Sequence, residues 1–198
     1  MIIGITGTLA SGKSSVAKLI ADTKGAELLD ADKIAHAVLE QDKDVHLQLV
    51  STFGEEILNK KNKINRKSLA SVVFSDRAKL KKLCSIVHPR IISKLKLSTK
   101  DILSKDSNAT IVMDAPLLLE VGMGDFCDLV IVVTTSIANI LARAGKHHGF
   151  KEKEALKRIR AQIPISEKKK YADYIIENNG TIEELKNKVK QLTERIKK

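Results

Sequence analysis

Aromatic residues make up 3% of the 198-residue chain and tryptophan is absent, which leaves little to build the stacking platforms that hold single-stranded nucleic acid. Cysteine is almost as scarce. Cys84 and Cys127 stand alone, with no Cys or His neighbour at metal-ligand spacing, so neither a disulfide framework nor a zinc site is expected and both read as reduced structural thiols. No apolar run approaches the roughly 18 to 20 residues that span a bilayer. The first residues also lack a basic region followed by a cleavable apolar segment. The chain is therefore expected to be soluble and cytoplasmic, with no membrane partner.

What is there is enough for a globule. With 43% hydrophobic and 30% charged residues a sizeable core is affordable, and the length suits one domain of ~150 residues with an inserted lobe. The net charge of +11 is unevenly placed. By stretch it runs −4 for Met1 to Leu58, +12 for Asn59 to Lys105, −5 for Asp106 to Ala142 and +8 for Arg143 to Lys198. A bound polyanion would explain such alternation, as would nucleic acid; a solvated lysine-rich surface is the plain alternative.

The short apolar runs Met1 to Thr6, Ala26 to Asp30, Thr110 to Asp114, Leu129 to Val133 and Tyr174 to Glu177 read as strands. The third and fourth are continuous rather than alternating, as expected of strands covered on both faces of a parallel sheet. Thr181-Ile-Glu-Glu184 is a capping box opening a helix, with Ile182, Leu185, Val189, Leu192 and Ile196 on one face. About eighty residues between the second and third strands look helical, with Pro89 predicted to interrupt the pattern. Arg143 to Ala172 reads as an irregular segment around a helix from Glu152 to Gln162, placed where a mobile lid would sit.

Gly7-Thr-Leu-Ala-Ser-Gly12-Lys13-Ser14 satisfies G-x-x-x-x-G-K-[ST] between a strand and a helix, the context that gives this motif its meaning. Its glycines let backbone N–H groups converge on phosphate, Lys13 reaches the β and γ phosphates, and Ser14 offers a hydroxyl to Mg²⁺. Ala10, Ser11, Gly12, Lys13, Ser14 and Ser15 are accordingly the candidate ATP-binding residues. No G-x-G-x-x-G occurs, which excludes the dinucleotide-binding form. No Asn-Lys-x-Asp guanine reader and no Asp-x-x-Gly switch follow, which favours a small-molecule kinase over a GTPase. Asp30 and Asp32 stand at the carboxyl end of the second strand, where a carboxylate would accept the proton of an attacking hydroxyl. An N-cap for a helix starting near Lys33 is the structural alternative.

At these residues the chain resembles the dephospho-coenzyme A kinase family over nearly its whole length. The resemblance rests on Ile3-Gly-Ile-Thr-Gly7 with Ala10 to Ser15, Asp30-Ala-Asp-Lys-Ile-Ala-His36, Asn65-Arg-Lys-Ser-Leu69 with Val73-Phe74, His88-Pro89, Asp114-Ala-Pro-Leu-Leu-Leu-Glu120, Gln162 and Ala172 to Gly180. It implies an α/β, phosphate-binding-loop NTPase fold of nucleoside-monophosphate-kinase type: a five-stranded parallel core (1–32, 106–142 and 173–198), a helical CoA-binding lobe (about 33–105) and a lid (about 143–172). It also implies transfer of the ATP γ-phosphoryl group to the ribose 3′-hydroxyl of dephospho-CoA, giving CoA and ADP. In that reading Asp32 is the general base. Lys13 and Arg143 assist transfer, Ser14 holds Mg²⁺ with Asp114 acting through water, and Arg66 and His88 contact dephospho-CoA along with Asp32.

Bland alternatives stand beside several of these. His88 before Pro89 would close a helical turn, Arg66 would be an exposed first-turn residue, and Asp114 and Glu120 would support Arg and Lys side chains. Two positions depart from the family's pattern. A second lid arginine falls at His147, beside Lys146 and His148, where a neutral imidazole does not replace a guanidinium; Lys146, Arg158 or Arg160 is left to compensate. Thr8 stands where the family often has glycine. The rival readings are a kinase of another nucleoside or small metabolite, and a nucleotide switch whose basic stretches grip nucleic acid. ATP and dephospho-CoA as ligands, with neither nucleic acid nor an obligate protein partner, are the expectation.

Overall fold

The computed structural model describes residues 1–196, with His148 described by its backbone alone. Along the chain run β1 (Ile2–Gly7), α1 (Lys13–Lys24), β2 (Glu27–Asp30), α2 (Ala31–Gln41), α3 (Lys43–Phe53), α4 (Arg66–Val73), α5 (Arg77–Lys105), β3 (Ile111–Asp114), β4 (Leu129–Thr134), α6 (Ile137–His148), α7 (Glu152–Arg160), α8 (Ile165–Lys169), β5 (Tyr174–Glu177) and α9 (Ile182–Arg195). All strand pairs are parallel, in the order β2-β3-β1-β4-β5. The apolar runs dictate this. Every residue of β3 and all but the first of β1 and β4 is buried, whereas the edge strands expose Leu28 and Ile175. Helices must therefore cover both faces, which parallel crossovers provide. The chain moves to opposite sides of β1 after its first and later crossovers, and ligands gather at the carboxyl edge of such a reversal.

The chain divides into two units, Met1–Asp30 with Thr99–Lys198, and Ala31–Ser98. In the first, Val16 and Ile20 of α1 pack with Ile3 and Ile131 of the sheet and with Leu185 and Val189 of α9. Each such burial stabilises by roughly 1.5–3 kcal/mol relative to exposure. The Thr181 hydroxyl accepts the Glu184 N–H and so caps α9, as the capping box predicts. In the second unit, Val45, Leu49 and Phe53 of α3, Leu69 and Val73 of α4 and Val87 of α5 form a separate core. Asp42 caps α3 and Asn65 caps α4 through their side-chain oxygens. Arg90 fastens the start of α3 by reaching Asp42 at 3.2 Å and Asp44 at 2.6 Å.

Two expectations are corrected. Pro89 does not interrupt its helix: α5 runs 29 residues through it. Proline removes one i→i−4 donor, but Ile86, Val87 and Ile91 on either side are committed to the same core, and their burial keeps the helix continuous. The stretch Arg143 to Ala172 is likewise more regular than predicted. α6 carries the chain through Arg143 to His148, ending at Gly149 in the left-handed conformation, and α7 and α8 follow. Among the described residues no helix is long and apolar enough to cross a membrane.

Candidate active site

The loop after β1 is shaped by two left-handed residues, Ala10 at φ 54° and Gly12 at φ 90°. Gly12 has a second reason to lack a side chain, because a Cβ there would collide with the Asn178 amide. Thr8 is not among the positive-φ residues, so glycine's freedom is not needed where this chain departs from the family's pattern. The turn is closed by Ser11 N–H donating to the Thr8 carbonyl at 3.2 Å. Ser11 is buried and its Oγ has no hydrogen-bond partner among the described residues.

Lys13 is the first residue of α1, with Ser14 and Ser15 exposed behind it. The loop thus leads directly into the positive end of α1, a setting that favours an anion. Lys13 Nζ lies 3.9 Å from Oδ1 of Asp114, with only 13% of the lysine side chain and 7% of the aspartate's accessible. Register places Asp114 opposite Ile5 of β1 and Asp30 of β2, so the carboxyl ends of three strands bring the loop and both carboxylates to one edge. A Ser14 hydroxyl and an Asp114 carboxylate are hard oxygen donors, and they fit Mg²⁺, which takes few protein ligands and keeps several waters.

Arg143, inside α6, donates through Nη2 to the Asn178 carbonyl at 3.1 Å, while its buried Nη1 has no hydrogen-bond partner among the described residues. A guanidinium fixed on one side with a donor to spare suits an anion. The Asn178 side chain in turn donates to the Ser11 carbonyl at 2.9 Å. One asparagine therefore ties the arginine's helix to the phosphate-binding loop. Of the other residues considered in this segment, Lys146, His147 and Arg160 are exposed. Arg158 lies over the Phe150 ring, 4.3 Å from its centroid, and pairs with Glu154 at 3.7 Å. The His148 side chain lies outside the described residues.

Asp32, Arg66 and His88 belong to the second unit. Asp32 is the exposed second residue of α2. This corrects the N-cap alternative for Asp32, because the helix begins at Ala31 and residue 32 lies inside it, whereas Asp30 is the residue directly before the helix. Arg66 is the exposed first residue of α4, and His88 is half-buried within α5, not at a turn.

The dephospho-CoA kinase family model matches residues 1–184. A dephospho-CoA kinase of Fusobacterium nucleatum is 41% identical over 99% of this chain and 98% of its own. The chain belongs to the dephospho-CoA kinase family. Among solved structures, a Thermus thermophilus protein matches with a TM-score of 0.79 at 31% identity, covering 100% of this chain and 98% of that one. The dephospho-CoA kinase of Campylobacter jejuni matches with a TM-score of 0.69 at 31% identity, covering 98% and 96%. As a member of the dephospho-CoA kinase family the chain is a kinase on a phosphate-binding-loop fold.

Sequence reasoning assigned no role to two residues of this site. Asn178 was visible only as part of a matching stretch after the fifth strand. Lys168 is one lysine in the run Lys168-Lys-Lys170, yet its side chain is completely buried against Thr6, Pro116 and Glu120. Nothing in composition separates it from its exposed neighbours. The thiols are inert by environment: burial and then the Asp128 charge push Cys127 up to about 12, and burial raises Cys84, so neither supplies a thiolate near neutral pH.

Proposed function

We propose that this kinase transfers the γ-phosphoryl group of ATP to the ribose 3′-hydroxyl of dephospho-CoA, releasing ADP and CoA, in the cytoplasm. The observation that carries the reading is the loop with two left-handed residues and Lys13 beside Asp114 at the carboxyl edge of the sheet. The N–H groups of Ala10 to Ser15 and the Lys13 ammonium hold the triphosphate and spread the charge of a loose, metaphosphate-like transition state. Asp32 accepts the 3′-hydroxyl proton as the new O–P bond forms and the bond to the ADP oxygen breaks. Arg143 steadies the transferring group with its free donor, and residues 143–172 act as the lid. Arg66 and His88, in the basic lobe, receive the phosphates or ribose of dephospho-CoA. Ser14, with Asp114 acting through water, would hold Mg²⁺, which would supply charge neutralisation to the triphosphate.

The test is ADP release with dephospho-CoA, adenosine, dCMP and shikimate offered separately with ATP. Rapid release with dephospho-CoA alone is expected. Faster release with any of the others would replace the acceptor assignment.

A further inference from the structure

Outside the groups assigned above, one cluster of charge is buried in the first unit. The Lys168 ammonium is inaccessible to solvent. It donates to the Pro116 carbonyl at 2.7 Å, to Glu120 Oε2 at 3.1 Å and to the Thr6 hydroxyl at 3.3 Å, and forms an ion pair with Glu120 Oε1 at 2.9 Å. Its three protons are thereby used. The Thr6 hydroxyl donates to the same Pro116 carbonyl at 3.1 Å, and Glu120 Oε1 also accepts the Ile163 N–H at 3.2 Å.

The places joined are not arbitrary. Thr6 immediately precedes the glycine that opens the phosphate-binding loop, and Pro116 lies two residues past Asp114. Ile163 follows Gln162 on the chain between α7 and α8, and Lys168 sits on α8. One buried ammonium and one carboxylate therefore hold the loop's entry, the strand end carrying Asp114 and the far end of the 143–172 segment in one frame. Burial pushes the ammonium down from the usual lysine range, the Glu120 bond and charge oppose this, and the nearby Lys13 charge adds to the lowering. The pair thus sits within electrostatic reach of the phosphate-binding lysine.

A buried ion pair is a poor device for stability alone, because a well-packed apolar pair of similar volume often does as well or better. Its retention at this junction needs another reason. We infer that Lys168 and Glu120 are positioning residues for phosphoryl transfer, setting the Asp114 strand end and the 143–172 segment against the phosphate-binding loop. This rests on the reading of the loop as the ATP site of a kinase.

The test separates positioning from folding. Lys168→Met leaves Glu120 buried without its cation and is expected to lower Tm; adding Glu120→Leu removes the stranded charge and is expected to bring Tm back. Positioning predicts that the double variant, though restored in Tm, keeps kcat lower by about 10- to 100-fold, the cost of a small misplacement of reacting groups, with KM for ATP within about threefold of the parent. Should the double variant fail to fold, Glu120→Gln, which keeps the shape but strands the Lys168 ammonium, is expected to lower Tm as Lys168→Met does and, assayed well below that Tm, to show the same reduction in kcat. A folded variant with parental kcat overturns the inference and leaves the pair purely structural. A parent chain that turns over no dephospho-CoA would instead overturn the functional reading beneath it, so the two failures are distinct.

Discussion

Asn178 shows how much one residue holds in place through its side chain and its backbone together. Its amide donates to the Ser11 carbonyl, it occupies the space that a Gly12 Cβ would need, and its carbonyl receives both Arg143 Nη2 and the Thr135 hydroxyl. Asn178→Ala would leave the Ser11 carbonyl unmatched at a buried position, a loss of about 1–3 kcal/mol. Because the carbonyl lies in the loop itself, part of that loss is expected in nucleotide binding. Calorimetric ATP affinity should fall about tenfold, the equivalent of about 1.4 kcal/mol, while Arg143, held by a backbone oxygen, keeps its partner. Unchanged affinity would mean that the loop holds its shape without the asparagine. The Gly-x-x-x-x-Gly-Lys-Ser spacing made the strand, turn and helix of the loop legible in the sequence. Its support was not legible, since Asn178 and Lys168 reach the loop through Ser11 and Thr6, which lie more than 160 positions away in sequence.

Elements were easier to read where burial and local pattern agree. All five strands stand where the apolar runs put them; for β1, β3 and β4 this follows from being covered on both faces, which calls for continuous apolar runs. The opening of α9 follows its capping box for an equally local reason. Reading failed where tertiary burial outweighed a local rule, as at Pro89, where propensity demands a break and the lobe's core demands continuity. The same balance makes a prediction for α5. Pro89→Ala restores the missing N–H without disturbing Ile86, Val87 or Ile91, and should stabilise the protein by about 1–3 kcal/mol, a part or all of proline's cost inside a helix. Denaturant midpoints at constant m would show it. A lower midpoint would mean that the proline ring makes a contact worth more than the hydrogen bond.

For the molecule as a whole, the charge alternation fits the reading of a kinase for an anionic metabolite. The +12 stretch from Asn59 to Lys105 supplies α4, all of α5 and the candidate residues Arg66 and His88, a charge of the sign that attracts an anion. The acidic stretches carry Asp32 and Asp114, the carboxylates proposed above as proton acceptor and as water-mediated Mg²⁺ ligand. The motif series from Ile3 to Gly180 made family and reaction class readable along the entire chain, whereas the geometry of the buried charges required the fold. The most direct test of the central claim is the phosphorus NMR spectrum of the product formed from ATP and dephospho-CoA. The account predicts a new phosphomonoester on the ribose 3′-oxygen, formed in equal amount with ADP. ADP without a phosphorylated acceptor, or phosphate at any other oxygen, would contradict it.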